Sequence, residues 1–411
     1  MNGYRLYLFS FVAFDVASQI QSVAVSWQVY SIRHSPFDLG LVGLVLFAPT
    51  FVLAPLTGLA ADRLDRRAIM ATSMIVEIGI SLTLIPLFGG RGAATLGLVL
   101  GLLLLAGISR AFAFPAEQSL LPAIVPAEGY VRASALASAI REFTRIGGPA
   151  LGGVLIALGP VPAYGTVAIV CVASAITVMF VRLLTRPSRE EAPSLRDAFA
   201  GLRFIRERPV LGGAISLDLF AVLFGGATAL LPVYASDIFH VGAVGFGVLR
   251  ASAAIGTGVC ALIIARRPIH RYAGPRLLIA VACFGAATIA FGLSTSIWIA
   301  IPALALVGAA DMVSVAIRDA LVALGTPDAM RGRVTAVESV FITASNELGE
   351  FESGTLAALI GAVPTVVAGG VATLLVVALW TWRNPQLRRA DELVAQISRS
   401  SHTAPEPVSN A

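Results

Sequence analysis

The sequence predicts an all-α membrane protein with twelve transmembrane helices, arranged as two six-helix pseudo-repeats. Composition, long apolar runs and the placement of arginine support this prediction. Hydrophobic residues make up 57% of the 411 residues and charged residues only 13%, whereas a soluble domain carries about 25% charged residues. The mean hydropathy is +0.85. These values exclude a soluble enzyme, a disordered chain and a nucleic-acid binder, so no nucleic-acid partner is expected and the bilayer is the expected surroundings.

Twelve runs are apolar and long enough to cross a bilayer, which takes about 20 residues as a helix. The connections between them are short, except for residues 184–209. Numbered in chain order, the predicted spans cover residues 6–30, 37–60, 68–88, 94–114, 132–158, 163–183, 210–236, 242–265, 276–293, 297–317, 333–360 and 363–383.

The basic residues give the orientation of these spans. All 29 of them are arginine. Outside the spans, only Arg33 and Arg91 fall in loops on one side, and the other arginines fall in loops on the opposite side. Arg141, Arg145 and Arg250 lie inside spans. Positive charge is enriched on the cytoplasmic side of membrane proteins, so both termini are predicted to be cytoplasmic. The first apolar run is too long for a cleavable signal peptide.

A duplication divides the chain into two parts. Shifting the sequence by 202 residues places Gly147, Gly152 and Pro162 on glycine or proline again, so span 5 repeats as span 11. Parallel repeats are one of the architectures of transporters. The predicted units are a first bundle at 1–185, a cytoplasmic linker at 186–209 with a short amphipathic helix, a second bundle at 210–385 and a polar tail at 386–411.

Charged and polar residues within spans 1 and 7 are candidates for the functional site, because a charge in a span is costly and is therefore a functional hypothesis by default. Asp15 and Gln19 lie on one polar face of span 1. That face either lines a cavity or forms hydrogen bonds between helices. Asp218 stands at the equivalent place in span 7. Either carboxylate could bind a cation or proton, or could pair with an arginine.

Spans 5 and 10 carry further charges. Arg141 and Arg145 are one turn apart, and Glu142 is placed to neutralise Arg145. The remaining positive charge would suit an anionic substrate or a carboxylate of another span, while the alternative is a closed network of ion pairs. Asp311 lies on one face of span 10 with Ser314 and Arg318, toward its cytoplasmic end. It is a further candidate.

Span 11 has the densest charge. Glu347 and Glu350 lie near its middle, with Glu352 close by. Carboxylates grouped in a low dielectric cannot all stay ionised, so the sequence predicts that Glu347 or Glu350 carries a coupled proton. Glu77 in span 3 is interpreted as a local pair or a peripheral feature and not as a site.

No enzyme, cofactor or metal site is predicted. The cysteines at 171, 260 and 283 have no CxxC spacing, and the histidines are scattered. The chain lacks a Walker-type phosphate-binding loop and contains no lysine, so energy for transport would have to come from an ion gradient.

The loop after span 2 predicts a conformational latch. A small residue at Gly58 allows close helix approach, and Asp62 can accept hydrogen bonds from the amino-terminal amides of a neighbouring helix. Arg63, Arg66 and Arg67 hold the loop on the cytoplasmic side and can pair with acidic partners. Such a cluster can form in one state and break in another.

These residues resemble the major facilitator superfamily over nearly the whole chain. Residues 58–67 are similar to its signature between helices 2 and 3, with Asp65 where glycine is usual. A second resemblance is to the span-5 motif of antiporters, in which Thr144 stands where an upstream glycine is usual. In this sequence the motif consists of Gly148, Pro149, Gly152 and Gly153. The glycines allow close helix packing, and the proline bends span 5.

A finer resemblance is to the branch with enterobactin-type siderophore exporters and drug efflux proteins, carried by residues 23–30, 114–122 and 346–354. It implies a rocker-switch carrier with spans 1, 4, 7 and 10 around a central cavity. It also implies that Asp62 and Arg66 latch the outward-open state. The superfamily's span-4 arginine would fall near Leu103, which is apolar, so span 11 becomes the favoured place for proton coupling.

The prediction is therefore a transporter of a bacterial cytoplasmic membrane that exports small siderophore- or drug-like molecules by proton antiport. The first rival is a proton-coupled uptake symporter, which the antiporter-like motif disfavours. The second rival is a non-transporting membrane sensor, which the charges within the spans disfavour. The expected partners are a small-molecule substrate, protons and lipid, and a monomer is expected.

Overall fold

A computed structural model describes residues 2–89, 95–183, 195–267 and 272–388, and these residues are almost entirely helical. The helices before the linker are α1 (Asn2–Arg33), α2 (Pro36–Val52), α3 (Ala54–Arg63), α4 (Arg66–Gly89), α5 (Leu96–Ile124), α6 (Ala127–Ala157) and α7 (Pro160–Met179). The others are α8 (Leu195–Arg206), α9 (Pro209–Phe224), α10 (Leu231–Val233), α11 (Gly242–Arg266), α12 (Ala273–Gly292), α13 (Ile297–Gly325), α14 (Asp328–Ile360), α15 (Ala362–Arg383) and α16 (Pro385–Arg388).

Within the described ranges, nine helical segments are long and apolar enough to cross a membrane. They match nine of the predicted spans. The predicted spans 2, 5 and 11 correspond to α2 with α3, to α6 and to α14. The first of these is interrupted at Leu53, after the 17 residues of α2, and the other two carry several charges. The chain is thus a multi-pass membrane protein, and the count of twelve stays a prediction.

We refer to helices α1–α7 as the N-terminal group and to helices α9–α16 as the C-terminal group. Within each group, buried apolar side chains make the core: Phe11, Met70 and Leu120 belong to the N-terminal core, and Leu217 and Leu277 belong to the C-terminal core. Helix α8 lies where a short helix was predicted. It packs on the C-terminal group, where its Gly201 lies against the backbone of α14 at Arg333. We call this end of the protein the linker end.

The two groups meet at the opposite end, which we call the far end. The ring of Trp27 stacks on that of Phe246, with centroids 5.9 Å apart. The hydroxyl of Tyr30 donates a hydrogen bond of 2.5 Å to Asp237, and His34 Nδ1 lies 3.7 Å from the same carboxylate. These contacts hold the last turns of α1 against α11 and the residues that precede it.

Two close helix crossings complete the far end. An ideal Cβ atom placed on Gly153 of α6 would stand 2.4 Å from Gly247 Cα of α11, and one placed on Gly354 of α14 would stand 2.8 Å from the backbone nitrogen of Gly40 on α2. No side chain larger than hydrogen fits at either crossing. The sequence-predicted packing residue Gly153 therefore joins the two groups, while Gly148 and Gly152 pack against Gln19 and Ile20 of α1.

Helix α9, which follows the linker, does not continue as a regular helix to the far end of the protein. Helix α9 ends at Phe224, and a 3-10 turn (Ala227–Leu230), α10 and a π-helical turn (Tyr234–Ile238) carry the chain onward. The sequence explains the break, since Gly225 and Gly226 are poor helix formers and Pro232 lacks a backbone donor. A π-helical turn is often found at functional sites. This irregular stretch lies beside α14, whose Gly349 carbonyl would be 2.5 Å from a Cβ on Gly226.

The crossing of α6 and α11 can be tested by substituting one glycine. Gly153→Ala should lower the thermal unfolding midpoint of the purified protein, because the added methyl would displace backbone and not a flexible side chain. The matched control is Gly147→Ala on the same helix, where an added Cβ meets nothing within 4 Å. There alanine should be neutral or stabilise by up to about 1 kcal/mol through its helix propensity. Equal midpoints for the two variants would contradict the described crossing.

Candidate functional site

A cavity of about 270 Å³ lies between the two groups of helices. Helices α1, α2 and α5 form one wall, and α11, α14 and the irregular stretch after α9 form the other. Hydroxyl groups and apolar side chains alternate along it, and four charged side chains reach it. The polar lining residues are Ser22, Ser26, Thr50, Arg110, Thr228, Arg250, Thr343, Glu347 and Glu350.

The carboxylates of Glu347 and Glu350 converge on one point of this wall. An ideal Cβ atom on Gly43 of α2 would stand 3.1 Å from Glu350 Oε2 and 3.6 Å from Glu347 Oε2. Because Gly43 has no side chain, α2 can pass close to both carboxylates. Two negative charges are therefore brought together in a site that lies largely out of solvent, an arrangement that disfavours ionisation of both groups.

Arg110 and Arg250 both line this cavity, but they differ in whether a carboxylate is paired with them. The Arg110 guanidinium donates hydrogen bonds of 2.8 Å to Glu77 and 2.9 Å to Gln21. Glu77 is only 1% exposed, so its pairing with Arg110 agrees with the interpretation of Glu77 as a local pair. Within the described part of the chain, Arg250 has no carboxylate oxygen within the 4.0 Å of an ion pair. Sequence reasoning noticed Arg250 inside a span but did not place it at the site.

The charges predicted in spans 1 and 5 form a separate cluster. Thr144 donates a hydrogen bond to Asp15, and Arg141 pairs with Glu117 at 2.6 Å. The Arg141 guanidinium also lies over the Phe11 ring, 4.5 Å from its centroid. These residues tie α1, α5 and α6 together and do not line the cavity described above.

Two side chains of this predicted cluster, Glu142 and Arg145, lie outside the described residues. The expected neutralisation of Arg145 by Glu142 therefore stays a prediction.

A second buried cluster joins α9, α13 and α14. Arg318 pairs with Asp218, and its Nε donates a hydrogen bond of 2.9 Å to Glu338. Ser314 donates a further hydrogen bond of 2.9 Å to Asp218. Of the two readings left open for Asp218, the structure places it against an arginine. The sequence put Arg318 at the cytoplasmic edge of span 10 and gave no signal for Glu338, whose partner lies on another helix.

Asp311 lies beside this cluster, at a narrow gap that it lines with Asp218 and Ser314. Its side chain is half-buried. Within the described residues, no group of three His, Cys, Asp or Glu side chains is arranged to hold a metal ion.

The residues predicted to form the latch lie at the linker end. Arg66 donates hydrogen bonds to the carbonyl oxygens of Ala61 and Ser119, and Arg67 pairs with Asp65 at 2.8 Å. The hydrogen bond from Arg67 lowers the pKa of the Asp65 carboxyl below its ordinary value. Both arginines thus make these contacts within the N-terminal group.

Three further residues, Gly58, Asp62 and Arg63, belong to the predicted latch. Arg63 is exposed, and an added Cβ on Gly58 would meet nothing within 4 Å. The side chain of Asp62 lies outside the described residues. The close helix approach expected at Gly58 is therefore not seen in this structure.

Solved transporters share this arrangement of helices. A bacterial homologue of the human lysosomal transporter Spinster, solved in an inward-facing and occupied conformation, aligns with a TM-score of 0.70 at 15% identity, covering 95% of this chain and 97% of that one. A bacterial homologue of the iron transporter ferroportin in an inward-facing state aligns with a TM-score of 0.69 at 16% identity, covering 92% and 98%. The chain has the fold of these solved membrane transporters, and the family model that it matches belongs to the major facilitator superfamily.

The sequence matches narrow this class. The family described as transmembrane secretion effector matches residues 4–410, and the chain belongs to this family. This chain is similar to the enterobactin exporters EntS of Shigella boydii serotype 18 and of Escherichia coli O1:K1 / APEC. Each is 26% identical over 393 residues, which cover 94% of this chain and 92% of the relative.

The cluster around Arg318 is predicted to be structural, and its removal should be costly. Arg318→Gln leaves Asp218 and Glu338 without their counter-charge in a site where all three side chains are less than 10% exposed. Breaking a buried pair costs about 3–5 kcal/mol, so the unfolding midpoint should fall sharply. Arg203→Gln, which breaks the exposed pair with Glu207, is the control and should change nothing measurable. Similar midpoints for the two variants would contradict the buried network.

Proposed function

We propose that this protein is a secondary active transporter that exports small organic molecules, siderophore- or drug-like, across the bacterial cytoplasmic membrane by proton antiport with alternating access. One observation carries the proposal: the carboxylates of Glu347 and Glu350 meet on the wall of a cavity that lies between the two groups of helices.

The carboxylate pair is suited to bind and release a proton. Its two members share one small region beside Gly43, and like charges so close together in a low dielectric favour a state in which one of them is protonated. A substrate entering the cavity changes that balance. Binding of substrate and binding of proton are thereby coupled, which is the requirement for exchange transport.

The distribution of contacts supports alternating access. The described far-end contacts, among them Trp27–Phe246 and Gly153–Gly247, close the space between the groups on that side. The contacts of Arg66 and Arg67 at the linker end remain within one group. This arrangement fits a state open toward the linker end, in which the latch does not bridge the groups. With twelve spans and cytoplasmic termini, which we retain as proposals, that end faces the cytoplasm.

The direction of transport is proposed from the relatives. The similar proteins are named enterobactin exporters, and residues 148–153 resemble an antiporter motif. In the structure this segment brings α6 against α1 and α11 through Gly148 and Gly153. Uptake has no comparable support. A monomer is the proposed form, because the cavity is enclosed by helices of a single chain.

Transport in proteoliposomes tests the proton coupling. A pH gradient should drive wild-type flux of at least one of two cargoes, enterobactin or ethidium. Glu347→Gln and Glu350→Gln should each reduce gradient-driven flux at least tenfold, because a carboxamide cannot exchange a proton. Glu352→Gln is the matched control, since it lies on the same helix but does not line the cavity, and it should retain flux.

Two outcomes would contradict the proposal. Full gradient-driven flux in both Gln variants would remove the carboxylate pair from coupling. Flux of either cargo that ignores the pH gradient would exclude proton antiport. The natural cargo can be sought by mass spectrometry of medium and cell extract with and without the gene, under iron-replete and iron-starved growth, where an exported compound should vanish from the medium and accumulate in cells.

A further inference from the structure

The charged side chains that line the cavity do not balance one another equally. Arg110 is already paired, since its guanidinium lies 2.8 Å from the Glu77 carboxylate and 2.9 Å from Gln21. Arg250 is then the cation left to balance Glu347 and Glu350. One arginine can compensate one carboxylate, so the second carboxylate needs a proton or another positive charge.

The other helices around the carboxylate pair supply no further charge among the described lining residues. Helix α1 contributes Ser22 and Ser26, α2 contributes Gly43 and Thr50, and the 3-10 turn after α9 contributes Thr228. Helix α5 contributes Arg110, α11 contributes Arg250, and α14 adds Thr343 beside the pair itself. The hydroxyls can donate hydrogen bonds but cannot neutralise a carboxylate.

We propose that the transported molecule carries an organic cation, such as an ammonium or phosphonium group, which replaces one proton at the Glu347–Glu350 pair while Arg250 balances the other carboxylate. This inference rests on the proposed function and narrows its cargo. In the exchange one proton leaves a carboxyl group for water, and one positive charge takes its place. No covalent bond to carbon is made or broken.

The rest of the wall suits the body of such a molecule. Leu39, Leu46 and Phe47 present apolar surface to the cavity, and an aromatic face can attract a cation as well as cover an apolar group. An anion in the same place would face two carboxylates, and only Arg250 would be left to attract it. Charge repulsion should therefore disfavour anionic cargo while the pair is ionised.

Two ions of matched shape and opposite charge test the proposal. Tetraphenylphosphonium and tetraphenylborate would be titrated into purified full-length protein between pH 5.5 and 8. Partition into detergent would be subtracted with protein-free micelles, and the Glu347→Gln/Glu350→Gln double variant should lose most of the cation binding. The cation should bind, with affinity rising up to about tenfold per pH unit while the pair titrates. It should also release about one proton, measured with a pH-sensitive dye in weak buffer.

Substitution of Arg250 gives an independent arm. Arg250→Gln should tighten tetraphenylphosphonium binding severalfold, because both carboxylates then lack a permanent counter-charge. Arg266→Gln on the same helix is the control, since Arg266 is exposed and does not line the cavity, and it should leave binding unchanged. Thermal unfolding of each variant would show that it is folded, and the ion preference of the wild type does not depend on any variant folding.

Several results would overturn the inference. They are preferential binding of tetraphenylborate that is lost in Arg250→Gln, binding of the cation without proton release, and binding of neither ion above the protein-free micelles. Proton-driven flux of enterobactin in the proteoliposomes described above would at the same time leave the proposed export function intact. The two failures are therefore distinguishable.

Discussion

The placement of charge inside apolar helices constrains this structure more than any other interaction. An ionised side chain removed from water costs several kcal/mol unless a counter-charge and hydrogen bonds compensate for it. Arg318 meets this condition with Asp218 and Glu338, and Arg110 meets it with Glu77. Each of these two buried clusters joins helices of one group, so these charges stabilise the groups themselves and not the contact between them.

The carboxylates at the cavity are different because like charges meet there. Glu347 and Glu350 face α2 at Gly43, where the absence of a side chain leaves room for both. A carboxylate without a full counter-charge would be unfavourable in a closed core. A cavity, however, can supply water, a proton or a ligand in place of a fixed partner. The least compensated charges therefore lie where the helices are furthest from close packing.

The sequence predicts the position of the helices well and their partners poorly. Predicted spans 276–293 and 363–383 agree closely with α12 (Ala273–Gly292) and α15 (Ala362–Arg383), because long apolar runs bounded by polar residues have few alternatives. Helical spacing, however, shows only which residues share a face of one helix. It grouped Arg318 with Asp311, whereas the guanidinium pairs with Asp218 across two helices.

Other features of the site had signals too weak to interpret from sequence. The break after α9 could have been found from Gly225, Gly226 and Pro232, which disfavour a continuous helix. Gly43 could not, because one glycine in an apolar run does not reveal that another helix brings two carboxylates to it. Arg250 was recognised as a charge within a span, but its position at the cavity depends on how α11 and α14 face each other.

The helices that look least like membrane spans are those at the boundary between the two groups. A helix surrounded by lipid and apolar neighbours gains by being apolar along most of its length, as α12 and α15 are. Helices α6 and α14 carry charges, and α2 has a proline at position 49 and ends early. Each contacts a helix of the other group, α2 with α14 and α6 with α11. Residues at that boundary face the cavity or the close glycine crossings, and not lipid or an apolar core. Charged and small residues are therefore tolerated there. The departures from an apolar composition therefore mark the part of the molecule where the groups meet and where a ligand can be enclosed.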